Sequence, residues 1–185
     1  MYLSKTQTID FTKIPEITGP ILDLGGGGEG VIGRIYGKQV TAVDLRKQEL
    51  DETPEGPIKV VADAKSLPFS DLSFRSVTAF YFFMYLKPAD FLPVFRETYR
   101  VLGTNGMFYI WDTVIPISTS RPRKIFAVPV AIRMTDKKLQ TAYGVGWKER
   151  ELTVEQLITV ATDVGFKVKS TGYNGNAFYL ELSKL

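Results

Sequence analysis

Four aspartates, Asp23, Asp44, Asp63 and Asp112, each follow a short apolar run with the composition of a β-strand. A carboxylate at a strand tip sits on the edge where open α/β sheets bind ligands. The first acid leads into Gly25-Gly26-Gly27-Gly28-Glu29-Gly30, a density of glycine that packing does not require. Glycine accepts positive φ and has no Cβ, so such a run lets the backbone turn sharply and lets a ligand come close to its N–H groups. Asp44 ends the run Gln39-Val40-Thr41-Ala42-Val43, where a carboxylate can accept both hydroxyls of a ribose. The chemistry suggested is the holding of a nucleotide-like cofactor.

Two cofactor classes fit this loop. Gly25, Gly27 and Gly30 match the dinucleotide pattern G-x-G-x-x-G, with Asp44 at the distance that pattern asks for its ribose acid. Asp23, however, stands two residues before Gly25, where dinucleotide folds usually keep an apolar side chain and where a carboxylate can face an ammonium group. S-adenosylmethionine carries that ammonium and NAD does not. A glycine-rich turn without a ligand is the third reading.

The 185 residues contain no cysteine and no histidine. Disulfides, thiol nucleophiles, an imidazole base and zinc sites built on Cys or His are therefore excluded, and the sequence offers no metal ligand set. Any proton transfer must use Asp, Glu, Tyr, Lys or the substrate. Length and a 44% hydrophobic content fit one globular domain spanning 1–185. No segment has membrane-spanning length and Met1-Tyr2-Leu3-Ser4-Lys5 lacks an apolar signal region, so the expectation is a cytoplasmic protein without a membrane partner.

The elements that must hold these residues read as a strand–helix alternation. Strand Ile21–Leu24, helix Val31–Tyr36 stopped by Gly37, and strand Val40–Val43 open a doubly wound sheet. Further strands are expected at Ile58–Val61, Ser76–Phe80 and Met107–Trp111, with a helix over 88–102 whose apolar positions Phe91, Val94, Phe95, Tyr99 and Leu102 share a face. The Gly103-Thr104-Asn105-Gly106 turn ends that helix. Aromatics at Tyr81–Leu86 would wall the crevice, with Phe82, Phe83 and Leu86 as core in the plainer reading. Residues 1–19 read as a short turn or brief helix between Pro15 and Pro20.

Between 118 and 150 the alternation breaks, and Lys124–Met134 and Leu139–Trp147 read as an inserted β-hairpin. Eight Lys and Arg against two acids give this segment +6, whereas the whole chain carries +3. An acidic partner or a solvated, lysine-protected strand edge both account for that charge. A last helix starts with a Thr153 cap and stops at Gly165. Strands 166–171 and 177–182 then follow with a link too short for a parallel crossover, so they are antiparallel.

In this order of motifs the chain resembles the class I S-adenosylmethionine-dependent methyltransferases, in particular the small-molecule, type 11 group. Asp23-Leu24-Gly25-Gly26-Gly27 matches the first motif of that family and Asp44 its ribose acid. Asp63-Ala64 with Leu67-Pro68-Phe69 and Ser73-Phe74 matches the adenine-side segment, and Arg100-Val101-Leu102 before Gly106 the helix exit. The resemblance implies an α/β, doubly wound, Rossmann-like and mostly parallel seven-stranded sheet with a C-terminal antiparallel strand. It also implies S-adenosyl-L-methionine as cofactor, with Asp23 toward the ammonium and Gly25, Gly26 and Gly27 giving it space. Asp44 would hold the ribose, Asp63 and Ala64 the adenine, and Leu45 and Phe80 would pack beside it. Glu29 stands where the family often has a third glycine, Arg75 replaces an acid, and Met84-Tyr85 replaces a frequent pair of histidines, so acceptor-side chemistry does not carry over.

The expected function is methyl transfer to a small-molecule acceptor by direct in-line displacement. The alternatives are an NAD-dependent oxidoreductase, an RNA or protein methyltransferase using the basic hairpin, and a cofactor-binding protein without transfer. No catalytic base is assigned. Asp112, Tyr81, Tyr85 and Tyr143 are the side chains that could reach an acceptor if the hairpin, as a substrate-side element, folds over the site. The acceptor and the oligomeric state stay open.

Overall fold

The computed structural model describes residues 1–14, 16–117 and 125–185. Pro15 and the first residues expected in the hairpin, Ser118 to Lys124, lie outside the described residues. Strands β1 (Tyr2–Leu3), β2 (Gln7–Asp10), β3 (Ile21–Leu24) and helix α1 (Val31–Tyr36) are followed by β4 (Val40–Asp44), α2 (Lys47–Glu52), β5 (Ile58–Val61) and β6 (Phe74–Phe80). Helix α3 (Pro88–Val101) leads into β7 (Leu102–Thr113), then come β8 (Ile125–Arg133), β9 (Lys138–Gly146), α4 (Val154–Val164), β10 (Lys167–Asn174) and β11 (Ala177–Ser183).

The main sheet has seven strands in the order β10-β11-β7-β6-β3-β4-β5. Strands β3 to β7 are mutually parallel, whereas β11 is antiparallel to β7 and β10 antiparallel to β11. This is the expected mostly parallel Rossmann-like sheet with its C-terminal reversal. Its central strands are buried on both faces, so Ile21, Leu22, Leu24 and Val77 are apolar without alternation. Phe83, Phe91, Phe95, Phe108 and Phe166 pack edge-to-face or stacked where α3 meets β7, anchoring the helix by its Phe91–Phe95 stripe.

Helix ends follow local chemistry. Pro88 opens α3, where its missing N–H costs nothing. The Thr153 hydroxyl accepts from the Gln156 amide while the Gln156 side chain accepts from the Thr153 amide, a full capping box, and Gly165 closes α4 in the left-handed region. The expected turn at 103–106 is instead an irregularity inside β7, since the β6–β7 register jumps from Phe74↔Leu102 to Ser76↔Met107. The four residues between those pairs on β7, Gly103 to Gly106 with Asn105 at φ +57°, form the bulge.

The expectation for the N-terminus needs correction. Residues 2–3 and 7–10 are strands, and both pair in parallel with β8, while β9 pairs with β8 on its other edge. The hairpin thus belongs to a second, four-stranded sheet. Local sequence held little sign of this, because strands of two and four residues are recognisable mainly through a partner some 120 residues away. Among the described residues no helix is long and apolar enough to cross a membrane.

Candidate functional site

At the carboxyl edge of the main sheet lies a cavity of about 780 Å³. Its floor is the glycine loop between β3 and α1. Gly25 has φ +68° and a Cβ there would stand 2.7 Å from the ring of Phe82, so only glycine fits beneath that aromatic. A Cβ on Gly27 would stand 2.6 Å from Cβ of Glu49 and 2.8 Å from a carboxylate oxygen of Asp44. The Gly26 and Gly28 amides donate to the carbonyls of Val43 and Glu49, at 3.0 and 2.8 Å. Those two amides fix the loop to β4 and α2.

All nine residues expected at a cofactor site, Asp23, Gly25, Gly26, Gly27, Asp44, Leu45, Asp63, Ala64 and Phe80, line this one cavity. They come from separate strand ends and loops, brought together because β3, β4, β5 and β6 are neighbours in the parallel sheet. Asp23 is buried under the loop and accepts a 2.7 Å hydrogen bond from Thr78 Oγ1 on β6. Burial raises its pKa to about 7, against the lowering effect of Thr78. Asp44 accepts from the Arg46 amide at 2.9 Å and Asp63 from the Lys65 amide at 2.9 Å, so each acid turns its own following loop. Leu45 is 68% exposed and forms the outer rim.

Above the floor stand the residues after β6. Tyr81 has φ +49°, its amide donates to the Trp111 carbonyl at 2.7 Å, and its hydroxyl donates to Gln7 Oε1 at 2.6 Å. The Tyr143 ring from β9 stacks on it at 4.8 Å between centroids, 12° from parallel, and meets Phe80 edge-on at 6.2 Å. Thr141, Ala142 and Tyr143 of the hairpin close this side of the cavity. Phe83 is core, whereas Phe82 and Leu86 border the cavity.

Of the four side chains considered as an acceptor-side base, Tyr81, Tyr85 and Tyr143 line the cavity and Asp112 does not. Asp112 is fully buried at the end of β7, where it accepts from the amides of Met84 at 3.2 Å and Thr113 at 2.8 Å. It caps the short 3-10 turn Phe83–Tyr85 and so sets the path of the aromatic segment. Burial raises its pKa to about 7. Burial also raises the phenols of Tyr81 and Tyr143 well above their ordinary value, so neither is a base near neutral pH.

Sequence reasoning singled out Glu29 only as a departure from a glycine. In the structure Glu29 lines the cavity and accepts a 3.1 Å hydrogen bond from Thr141 Oγ1, joining the glycine loop to the hairpin. The period-2 spacing of Thr141 and Tyr143 in β9 was the only local sign that both face the same way. Arg34, Arg46, Glu49 and Lys65 also border the cavity and carried no motif of their own.

Residues 22–110 match the family model described as a methyltransferase domain, type 11. A search of curated proteins finds no match to the chain. Among solved structures the chain is similar to a protein from Pyrococcus horikoshii OT3, with 17% identity, a TM-score of 0.64 and coverage of 94% of this chain and 84% of the other. It is similar to a SAM-dependent methyltransferase from Methanosarcina mazei at 18% identity and TM-score 0.62, covering 100% of this chain and 95% of the other. It is likewise similar to an S-adenosylmethionine-dependent methyltransferase from Mesorhizobium loti at 17% identity and TM-score 0.64, covering 94% of each chain. At these identities the structures speak to the fold, and the family match speaks to the domain. Residues 22–110 thus form a methyltransferase domain of the type 11 family, and the chain around them has the class I fold of the S-adenosylmethionine-dependent methyltransferases.

Proposed function

We propose that the chain methylates a small-molecule acceptor bound in the same cavity as S-adenosylmethionine, under the β8–β9 hairpin. The observation that carries this reading is the convergence of the nine residues on one cavity whose remaining wall comes from Tyr81, Phe82, Tyr85 and the hairpin. Fit to the cofactor is supported by the loop, where a side chain at Gly25 or Gly27 would fill the space, and by the buried Asp23 carboxylate beneath it. Asp23 would face the ammonium, Asp44 the ribose hydroxyls, Asp63 and the Ala64 backbone the adenine, with Leu45 and Phe80 on its faces. Bound there, the cofactor supplies a sulfonium methyl open to in-line attack. The chain's own contribution is alignment and exclusion of water, which can lower such a barrier by several kcal/mol without an acid or base.

A small acceptor is favoured over a macromolecule because the hairpin stands over the cavity and several of its cations have partners. Arg133 lies 3.9 Å from Asp10, Lys148 lies 4.0 Å from Glu149, and Arg150 donates to the Tyr85 carbonyl.

Calorimetric titration with S-adenosylmethionine, S-adenosylhomocysteine and NAD tests the assignment. Both sulfur compounds should bind and NAD should not. Asp44→Ala should weaken binding by about a hundredfold or more, the size of two hydrogen bonds to a charged acceptor. NAD binding, or an Asp44→Ala variant that binds like the wild type, would overturn the assigned roles.

A further inference from the structure

We propose that the acceptor is a small amine, recognised as its ammonium between the Glu29 carboxylate and the aromatic wall of Phe82, Tyr85 and Tyr143. The proposal rests on the methyl-transfer reading above and names its acceptor. Glu29 is the one acid of the cavity that comes from the glycine loop and reaches the hairpin. Its Oε1 accepts from Thr141, whereas its Oε2 is in a loose ion pair with Arg34 at 3.9 Å, too long for a hydrogen bond. Arg34 Nε is committed elsewhere, donating to the Glu29 carbonyl at 2.6 Å. One carboxylate oxygen on the cavity wall is therefore available to a donor.

The Tyr143 ring stands beside it. Thr141 and Tyr143 are two apart on β9 and share a face, so the carboxylate bonded to Thr141 lies next to the Tyr143 ring. Glu29 is also the foremost charge acting on the Tyr143 phenol, after burial itself. Tyr85 and Phe82 complete the wall, Phe82 lying directly over Gly25. Aromatic rings next to a carboxylate attract an organic cation through both quadrupole and charge. A carboxylate acceptor at this wall would be repelled by Glu29. An alcohol would need a strong base, and Asp112 is buried away from the cavity.

An amine needs less. The ammonium, with a pKa near 10, loses a proton to water by way of Glu29. The neutral nitrogen then gives its lone pair to the methyl carbon, the carbon–sulfur bonding pair stays on sulfur and cancels its positive charge, and the N-methylammonium product carries the charge away.

Calorimetry on the full chain saturated with S-adenosylhomocysteine, using three probes of like shape, separates the possibilities: benzylamine, benzyl alcohol and benzoate. Benzylamine should bind about tenfold or more tightly than the other two, and Glu29→Gln, which keeps an oxygen for Thr141, should erase that preference. The variant's affinity for S-adenosylhomocysteine should stay within about twofold of wild type, because Glu29 is assigned to the acceptor and not to the cofactor. Equal or tighter binding of benzoate or benzyl alcohol, a preference that survives in Glu29→Gln, or no binding of any probe would overturn the proposal. Failure of S-adenosylhomocysteine itself to bind the wild type would instead overturn the cofactor assignment beneath it.

Discussion

Asp23 sits under the glycine loop with a single side-chain donor, Thr78, and burial lifts its pKa to about 7. In the unfolded chain the same group titrates near 3.8. Between those values the unfolded state loses a proton that the folded state keeps, so this residue's contribution to stability falls as pH rises through that window and is constant above it. A cationic ligand reverses the preference by favouring the carboxylate. Binding of S-adenosylhomocysteine, which keeps the ammonium, should therefore release a proton below about pH 7, tightening as pH rises toward that value. Calorimetric enthalpies measured in buffers of different ionisation heat will show the release, and Asp23→Asn should abolish it. A pH-independent affinity across this range would place the ammonium against another group. Asp112 carries a similar rise, yet its oxygens serve the amides of Met84 and Thr113 inside the fold, so the same measurement should be insensitive to it.

At the scale of elements, the loop after β5 depends on α3. Arg100, near the end of that helix, donates to the carbonyls of Leu67 at 3.0 Å and Phe69 at 2.7 Å while paired with Glu97 and Asp71. Glu97 in turn accepts the Leu67 amide at 2.7 Å. The guanidinium thus holds the segment that follows Asp63 and Ala64 through a planar fork that lysine cannot reproduce. Arg100→Ala is expected to leave the main sheet intact, raise hydrogen exchange over 65–72 and weaken S-adenosylhomocysteine binding several-fold. Unchanged exchange there would show that the loop is held by its own turns. In the sequence this residue was visible only as part of the helix exit, because its acceptors lie some thirty positions earlier. The Thr153 cap and the Gly165 stop of α4 were legible because both act within one turn of the chain.

For the molecule as a whole, the link between the two sheets is polar and buried. Gln7 from β2 donates to Thr113 Oγ1 at 2.8 Å and accepts from the Tyr81 hydroxyl at 2.6 Å, tying the hairpin's sheet to the ends of β6 and β7. Gln7→Leu would strand the Tyr81 hydroxyl without its acceptor, at a cost of about 1–3 kcal/mol. In a chain of this size each such kcal/mol lowers Tm by about 2–4 °C. The loss should appear in thermal unfolding and be partly recovered in Gln7→Leu/Tyr81→Phe, where no hydroxyl is left to satisfy. A double variant no more stable than the single one would mean that Gln7 acts through packing alone.

Several features follow from the chain read as a sequence: the parallel strands with Asp23, Asp44 and Asp63 at or just beyond their carboxyl ends, the glycine loop after the first of them, the caps of α1 and α4, and the closing antiparallel pair. Each is carried by neighbours within a strand, a helical turn or a loop, where periodicity, glycine conformation and capping chemistry act locally. Pairing of β1 and β2 with β8, burial of Asp112 as a backbone cap, Phe82 over Gly25 and the Glu29–Thr141 bond were decided by tertiary structure. These contacts join residues far apart in the chain, up to some 120 positions, and none leaves a local pattern. Their existence depends on how the second sheet settles over the first, which no short window of sequence encodes.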